Sequence, residues 1–85
     1  PFPNPFNSQT TITVEINQDS EIQLNIYDVL GQKIRTINHF DTKPDIHHIK
    51  WNALDDKGRQ AVSGVYFYLL TINKTIEKGK FIYLK

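Results

Sequence analysis

Residues 10–28 read TTITVEINQDSEIQLNIYD, and this stretch decides the fold class. Ile12, Val14 and Ile16 alternate with Thr11, Thr13 and Glu15. After the polar Asn17-Gln18-Asp19-Ser20 the alternation resumes with Ile22, Leu24 and Ile26. Successive side chains of a strand point to opposite faces, so a period of two marks a strand with one face buried. The short polar link predicts that segments 10–16 and 21–28 form a hairpin.

The same reading extends outward. Leu30-Gly31-Gln32 is a turn, and KIRTIN (33–38) is a third strand. Its Ile34 and Ile37 fall out of period, which predicts a bulge or an early end. Residues 39–45 are polar, contain Pro44 and read as a loop. IHHIKWN (46–52) places Ile49 and Trp51 on one face, and residues 54–58 form an Asp- and Gly-rich turn. Val62 begins a short strand or a connection. VYFYLLTI (65–72) is the most apolar run, and its β-branched and aromatic content suits a central strand. Asn73-Lys74 is a tight turn, and TIEKGKFIYLK (75–85) is a last strand expected to bend at Gly79. No segment has a helical period. The expected fold is all-β, an immunoglobulin-like antiparallel β-sandwich of about seven strands. Its predicted core is Ile12, Val14, Ile16, Ile22, Leu24, Ile26, Ile34, Trp51, Val65, Phe67, Leu69, Ile82 and Leu84.

Composition narrows the function. The 85 residues make one domain, 1–85, with no linker inside it. There is no cysteine, hence no disulfide and no thiolate ligand or nucleophile. Ten basic against nine acidic residues leave a net charge of +1, which is no footprint for nucleic acid. No apolar run approaches the ~20 residues of a membrane-spanning helix. A chain that starts at Pro1 is expected to be a domain excised from a larger protein.

No catalytic constellation stands out. His47 and His48 are adjacent, so a strand sends them to opposite faces where they do not share a metal; His39 falls in the predicted loop. Asp55-Asp56-Lys57-Gly58 lacks the alternate oxygen ligands and closing Glu of a helix-flanked calcium loop, and reads as a turn. Ser8, Ser20 and Ser63 have no glycine-flanked elbow. Asn73-Lys74-Thr75 matches a glycosylation sequon within a tight turn. Neither a metal nor a cofactor is expected. Tyr66 and Tyr68, opposite Phe67, form a possible binding face that stacks a sugar or docks a partner. The competing reading has them packed with their hydroxyls wet.

Five segments, taken in order, resemble one family. They are Pro3-Asn4-Pro5-Phe6-Asn7 with Thr10-Thr11-Ile12; Ile26-Tyr27-Asp28-Val29-Leu30-Gly31-Gln32-Lys33-Ile34; Trp51-Asn52 with Asp55-Asp56-Lys57-Gly58; Ser63-Gly64-Val65-Tyr66-Phe67-Tyr68; and Lys80 through Lys85. Together they are similar to type A C-terminal sorting domains of the type IX secretion system of Bacteroidetes. The pattern overlaps the immunoglobulin-like domain of flagellar hook-capping proteins. Two departures are small: Ser8 stands where the family often has Pro, and Asn52-Ala53 where it has Asp-Gly.

The resemblance implies a non-enzymatic signal that sends an upstream cargo domain through the periplasm to the outer-membrane secretion machinery. It also implies removal by a sortase-like protease, with the cargo secreted or held at the bacterial cell surface. The residues it implies for recognition are Lys80, Phe81, Ile82, Tyr83, Leu84 and Lys85. The alternatives are an immunoglobulin-like spacer, a carbohydrate- or protein-binding module of a surface enzyme, or a hook-assembly domain.

Overall fold

The computed structural model describes residues 10–85; Ser8 and the opening motif at residues 3–7 lie outside the described residues. Six strands follow in chain order: β1 (Thr10–Ile16), β2 (Ser20–Tyr27), β3 (Lys33–Thr42), β4 (Asp45–Trp51), β5 (Gly64–Ile72) and β6 (Thr75–Tyr83). β1 and β4 form a two-stranded sheet, and the rest form a four-stranded sheet in the order β3-β2-β5-β6. All neighbours are antiparallel. The expected all-β sandwich is present with six strands in place of about seven. The region of Val62 is a connection, held by an isolated bridge between Leu54 and Gln60 and by the Ala61 N–H donating to the Ala53 carbonyl at 2.8 Å.

The predicted hairpin between 10–16 and 21–28 does not form. β1 pairs with β4, from Thr10 opposite Trp51 to Ile16 opposite Asp45, while β2 lies between β3 and β5. The link at 17–19 therefore crosses from one sheet to the other. Alternation reports which face of a strand is buried, not which neighbour it bonds. Val14 and Ile16 meet Ile22, Leu24 and Ile26 across the sandwich, in one cluster with Ile49 and Trp51.

β3 runs to Thr42, so the predicted loop at 39–45 shrinks to Lys43-Pro44, and His39 lies in a strand. Two register shifts against β2 explain the odd spacing of its isoleucines. Ile26 pairs with Arg35 and Tyr27 with Lys33, which leaves Ile34 as an extra residue. The bulge turns Ile34 inward, and both Ile34 and Ile37 pack against the core. A second shift spans Phe40 and Asp41, with Asp41 in the left-handed region at φ 55°.

The core face of the last two strands is the opposite of the one expected. Tyr66 is 4% exposed and Phe67 41%. Tyr83 is 3% exposed, against 69% for Ile82 and 54% for Leu84. Val65 and Leu69 also lie on the outer face, in register with Ile82 and Lys78. Runs 65–72 and 81–84 carry large apolar or aromatic side chains on both faces, and Thr71 alone is a weak signal for the phase of their alternation. Trp51 fixes it. Its ring meets Tyr66 at 5.3 Å, Phe81 at 5.7 Å and Tyr83 at 5.8 Å between centroids, near edge-on for the first two. Such aromatic pairs add about 0.5–1.5 kcal/mol beyond burial. Each phenol finds a partner: Tyr66 donates to the Val62 carbonyl at 2.6 Å, and the Tyr83 oxygen accepts from Gln60 Nε2 at 2.9 Å.

One turn design is used twice. Asp28 Oδ1 accepts the Leu30 and Gln32 N–H groups, and Asp55 Oδ1 accepts those of Lys57 and Arg59. In both loops the glycine three residues on sits at φ 81° or 80° and donates its N–H to the aspartate carbonyl. An Asp-x-x-Gly-x loop thus satisfies its own backbone. Ala53, buried beside Trp51, takes φ 64° at one of the two positions where the resembled family has Asp-Gly.

β6 does not bend at Gly79: its register with β5 is unbroken from Gly64–Tyr83 to Ile72–Thr75. Gly79 lies opposite Tyr68, and a Cβ there would overlap the Tyr68 ring. The glycine makes room for a cross-strand aromatic rather than for a kink.

Candidate interaction surface

The four-stranded sheet has two edges, and the chain treats them differently. At β3 the Asp56 N–H donates to the Ile34 carbonyl at 2.8 Å, and Asp56 Oδ1 accepts the Thr36 N–H at 3.1 Å. These groups two residues apart face away from β2, so Asp56 takes the place of a neighbouring strand. Arg35 and Asp56 approach to 3.7 Å in the same region. The bulge at Phe40-Asp41 then breaks the far end of that edge. Bulges and loop cover are the usual means of closing an edge to further pairing.

Among the described residues, β6 has no such cover. Among the described residues, no hydrogen bond outside the β5 ladder reaches its main chain. Its end is nevertheless fixed in place, because the Lys85 N–H donates to Ser63 Oγ at 2.8 Å. The six residues expected to carry recognition divide by face. Lys80, Ile82, Leu84 and Lys85 are exposed, whereas Phe81 is half-buried and Tyr83 buried against Trp51.

Tyr66 and Tyr68 do not form the exposed stripe considered from sequence. Tyr66 is buried, and burial pushes its phenol above the ordinary value. Tyr68 is half-buried against the core, near Phe81. The exposed face is the other one. Tyr27, Val29, Phe67, Leu69 and Lys78 line a shallow groove of about 460 Å³ on the outer side of the sheet. Sequence reasoning missed this groove because it chose the wrong phase for β5.

Several of the remaining polar candidates are engaged in hydrogen bonds within the fold. His48 Nδ1 lies 3.0 Å from Thr13 Oγ1, and His47 Nε2 donates to the Lys43 carbonyl at 2.6 Å. Among the described residues no group of three or more His, Cys, Asp or Glu side chains is gathered for a metal. The Asp55 carboxylate is occupied by its own loop, including the Arg59 Nε at 3.0 Å. The Arg59 N–H foremost, with partial burial opposing, holds this carboxyl below the usual range. Among the described residues no helix is long and apolar enough to cross a membrane.

Neither a curated protein nor a solved structure matches the chain. A family model does, over residues 3–84, and so spans all six strands and the sequence motifs read above save Lys85. The chain belongs to the CHU_C type IX secretion signal domain family.

Proposed function

We propose that this domain is a non-catalytic C-terminal sorting signal, one folded unit at the end of a larger protein, read through its last strand. It delivers an attached cargo from the periplasm to the outer-membrane translocon, for secretion or for anchoring at the cell surface. A sortase-like protease then removes it.

The observation that carries this reading is the open β6 edge in a sheet whose other edge is closed by Asp56. Adding a receptor strand there gives affinity through main-chain hydrogen bonds and selectivity through alternate side chains. Lys80, Ile82, Leu84 and Lys85 meet the receptor. Phe81 and Tyr83 hold the strand to the core so that it is presented in one conformation.

That division dictates the experiment. Deleting residues 80–85 would also remove two rings of the Trp51 cluster and so confuse recognition with unfolding. A reporter fused upstream of the domain should instead carry Lys80→Ala, Ile82→Ala, Leu84→Ala and Lys85→Ala together. The expected result is a folded domain whose reporter stays in the periplasm of a type IX-competent bacterium. Normal export would remove the role of this strand. It would favour a second reading, a protein- or carbohydrate-binding module that uses the outer groove at Tyr27 and Phe67.

A further inference from the structure

The partner that adds to β6 has a chemistry written in the register of that strand. Asn73-Lys74 is a two-residue turn closed by Ile72 opposite Thr75. In such a hairpin the closing pair is hydrogen-bonded and bonded pairs alternate from there. The main-chain groups of 75, 77, 79, 81 and 83 are therefore spent on β5, and those of 76, 78, 80 and 82 face the open edge. The side chains of Ile76, Lys78, Lys80 and Ile82 share the outer face of the sheet with their partners Thr71, Leu69, Phe67 and Val65. An incoming strand thus meets an ordered series: apolar, basic, basic, apolar.

The charge is concentrated here. Residues 74–85 hold four lysines and one glutamate, while the other 73 residues hold six basic and eight acidic side chains. The ion pairs among the described residues are Arg35–Asp56, Lys43–Asp19 and Arg59–Asp55, so none of these four lysines is neutralised. A second copy of the chain is a poor occupant. Antiparallel self-pairing centred on Lys78, Gly79 or Lys80 sets a lysine opposite a lysine, and like charges in register repel. The two-stranded sheet leaves an edge on each of its strands: β4 carries one acid and one base, Asp45 and Lys50, and β1 a single acid, Glu15, so neither presents a basic series.

We infer that the occupant of the β6 edge is an extended acidic peptide segment that adds as an antiparallel strand. Carboxylates stand opposite Lys78 and Lys80, and apolar side chains stand opposite Ile76 and Ile82. This rests on the sorting reading and specifies the receptor's side of it. Directly opposed residues have Cβ atoms about 4.5–5.5 Å apart, so each carboxylate sits within reach of an ammonium. Each such pair supplies roughly a two- to fivefold gain in affinity at low salt, which salt then screens.

The test uses the ¹⁵N-labelled 85-residue chain and two nine-residue blocked peptides. One is Thr-Val-Thr-Glu-Thr-Glu-Thr-Val-Thr; the other has Lys in place of both Glu. The expected result is amide shifts at Ile76, Lys78, Lys80 and Ile82 with the acidic peptide only, weakening as salt is raised. Lys78→Glu/Lys80→Glu should lose on the order of tenfold in affinity for the acidic peptide and gain the basic one. Equal response to both peptides, or none, overturns the inference. So does heparin binding as tightly with no shift of the edge amides, which would point to an anionic polysaccharide.

The same double variant, placed in the export reporter with Trp51 emission as a check on folding, separates the two proposals. Export that survives Lys78→Glu/Lys80→Glu but fails with the fourfold alanine variant leaves the sorting reading standing and removes the acidic partner. Export that survives both removes both. Export lost in both supports both.

Discussion

Adjacent residues of the terminal segment should differ sharply in what they contribute to stability. Tyr83 is buried, its ring lies 5.8 Å from Trp51 and 6.4 Å from Tyr66, and its oxygen holds the Gln60 amide. Truncating a buried large aromatic to alanine costs about 3–5 kcal/mol. Ile82 keeps more than two-thirds of its surface in solvent. Full burial of such a side chain is worth about 1.5–3 kcal/mol, so Ile82→Ala should cost less than about 1 kcal/mol. The whole domain is expected to hold about 4–13 kcal/mol.

Trp51 is the only tryptophan and is fully buried, so its emission reports unfolding in urea directly. At an m value of about 1–1.5 kcal/mol/M, Tyr83→Ala should lower the midpoint by about 2–5 M. Ile82→Ala should barely move it. Equal shifts for the two variants, or a larger one for Ile82→Ala, would show that β6 presents the other face to the core and would refute the division of residues 80–85 used above.

Two further outcomes follow from the same contacts. Gly79→Ala should destabilise the domain by about 1–3 kcal/mol through collision with the Tyr68 ring, and the loss should shrink in a Tyr68→Ala background; an undiminished loss in the urea midpoint of the double variant would exclude the ring as its cause. Because the Asp55 carboxyl is held below its ordinary value, chiefly by the Arg59 N–H, its contribution is complete above that value and fades as pH falls through the lower folded-state value. Urea midpoints measured from pH 6 to pH 2 should therefore fall less steeply on acidification in Asp55→Asn than in the parent, and identical slopes would exclude the linkage.

The asymmetry between edges bears on how such a signal stays soluble before it is read. An open edge strand invites pairing with any other chain. Here β3 is closed by a loop and by bulges, and β6 carries lysines that repel a second copy of itself. In the acidic-partner reading, the side chains that discourage self-association are the ones that select the partner. Specificity of this kind needs both an attraction and a repulsion.

Much of this was legible in the residues. Strict alternation in 10–16 and 21–27, with polar residues on the second face, determined both the strands and their buried sides, and the structure keeps them. The out-of-period Ile34 and Ile37 announced a bulge that is present. Leu30-Gly31-Gln32 and the Asp- and Gly-rich residues 54–58 announced turns, and in both a short carboxylate and a glycine at positive φ satisfy the loop from within. These features depend on residues close in sequence, and local chemistry is enough to fix them.

Three things were decided only by the tertiary structure. β1 chose β4 over its sequence neighbour, because burial across a sandwich satisfies the same alternation as burial side by side. β5 and β6 chose Tyr66, Phe81 and Tyr83 for the interior, because Trp51 arrives from the opposite sheet and selects the aromatic face of two strands that are apolar on both sides. Among the described residues the edge at β6 stays open and that at β3 does not, because Asp56, from the loop after β4, reaches β3. Each of these is a contact between residues distant in the chain, and a periodicity of two carries no information about which distant partner supplies it.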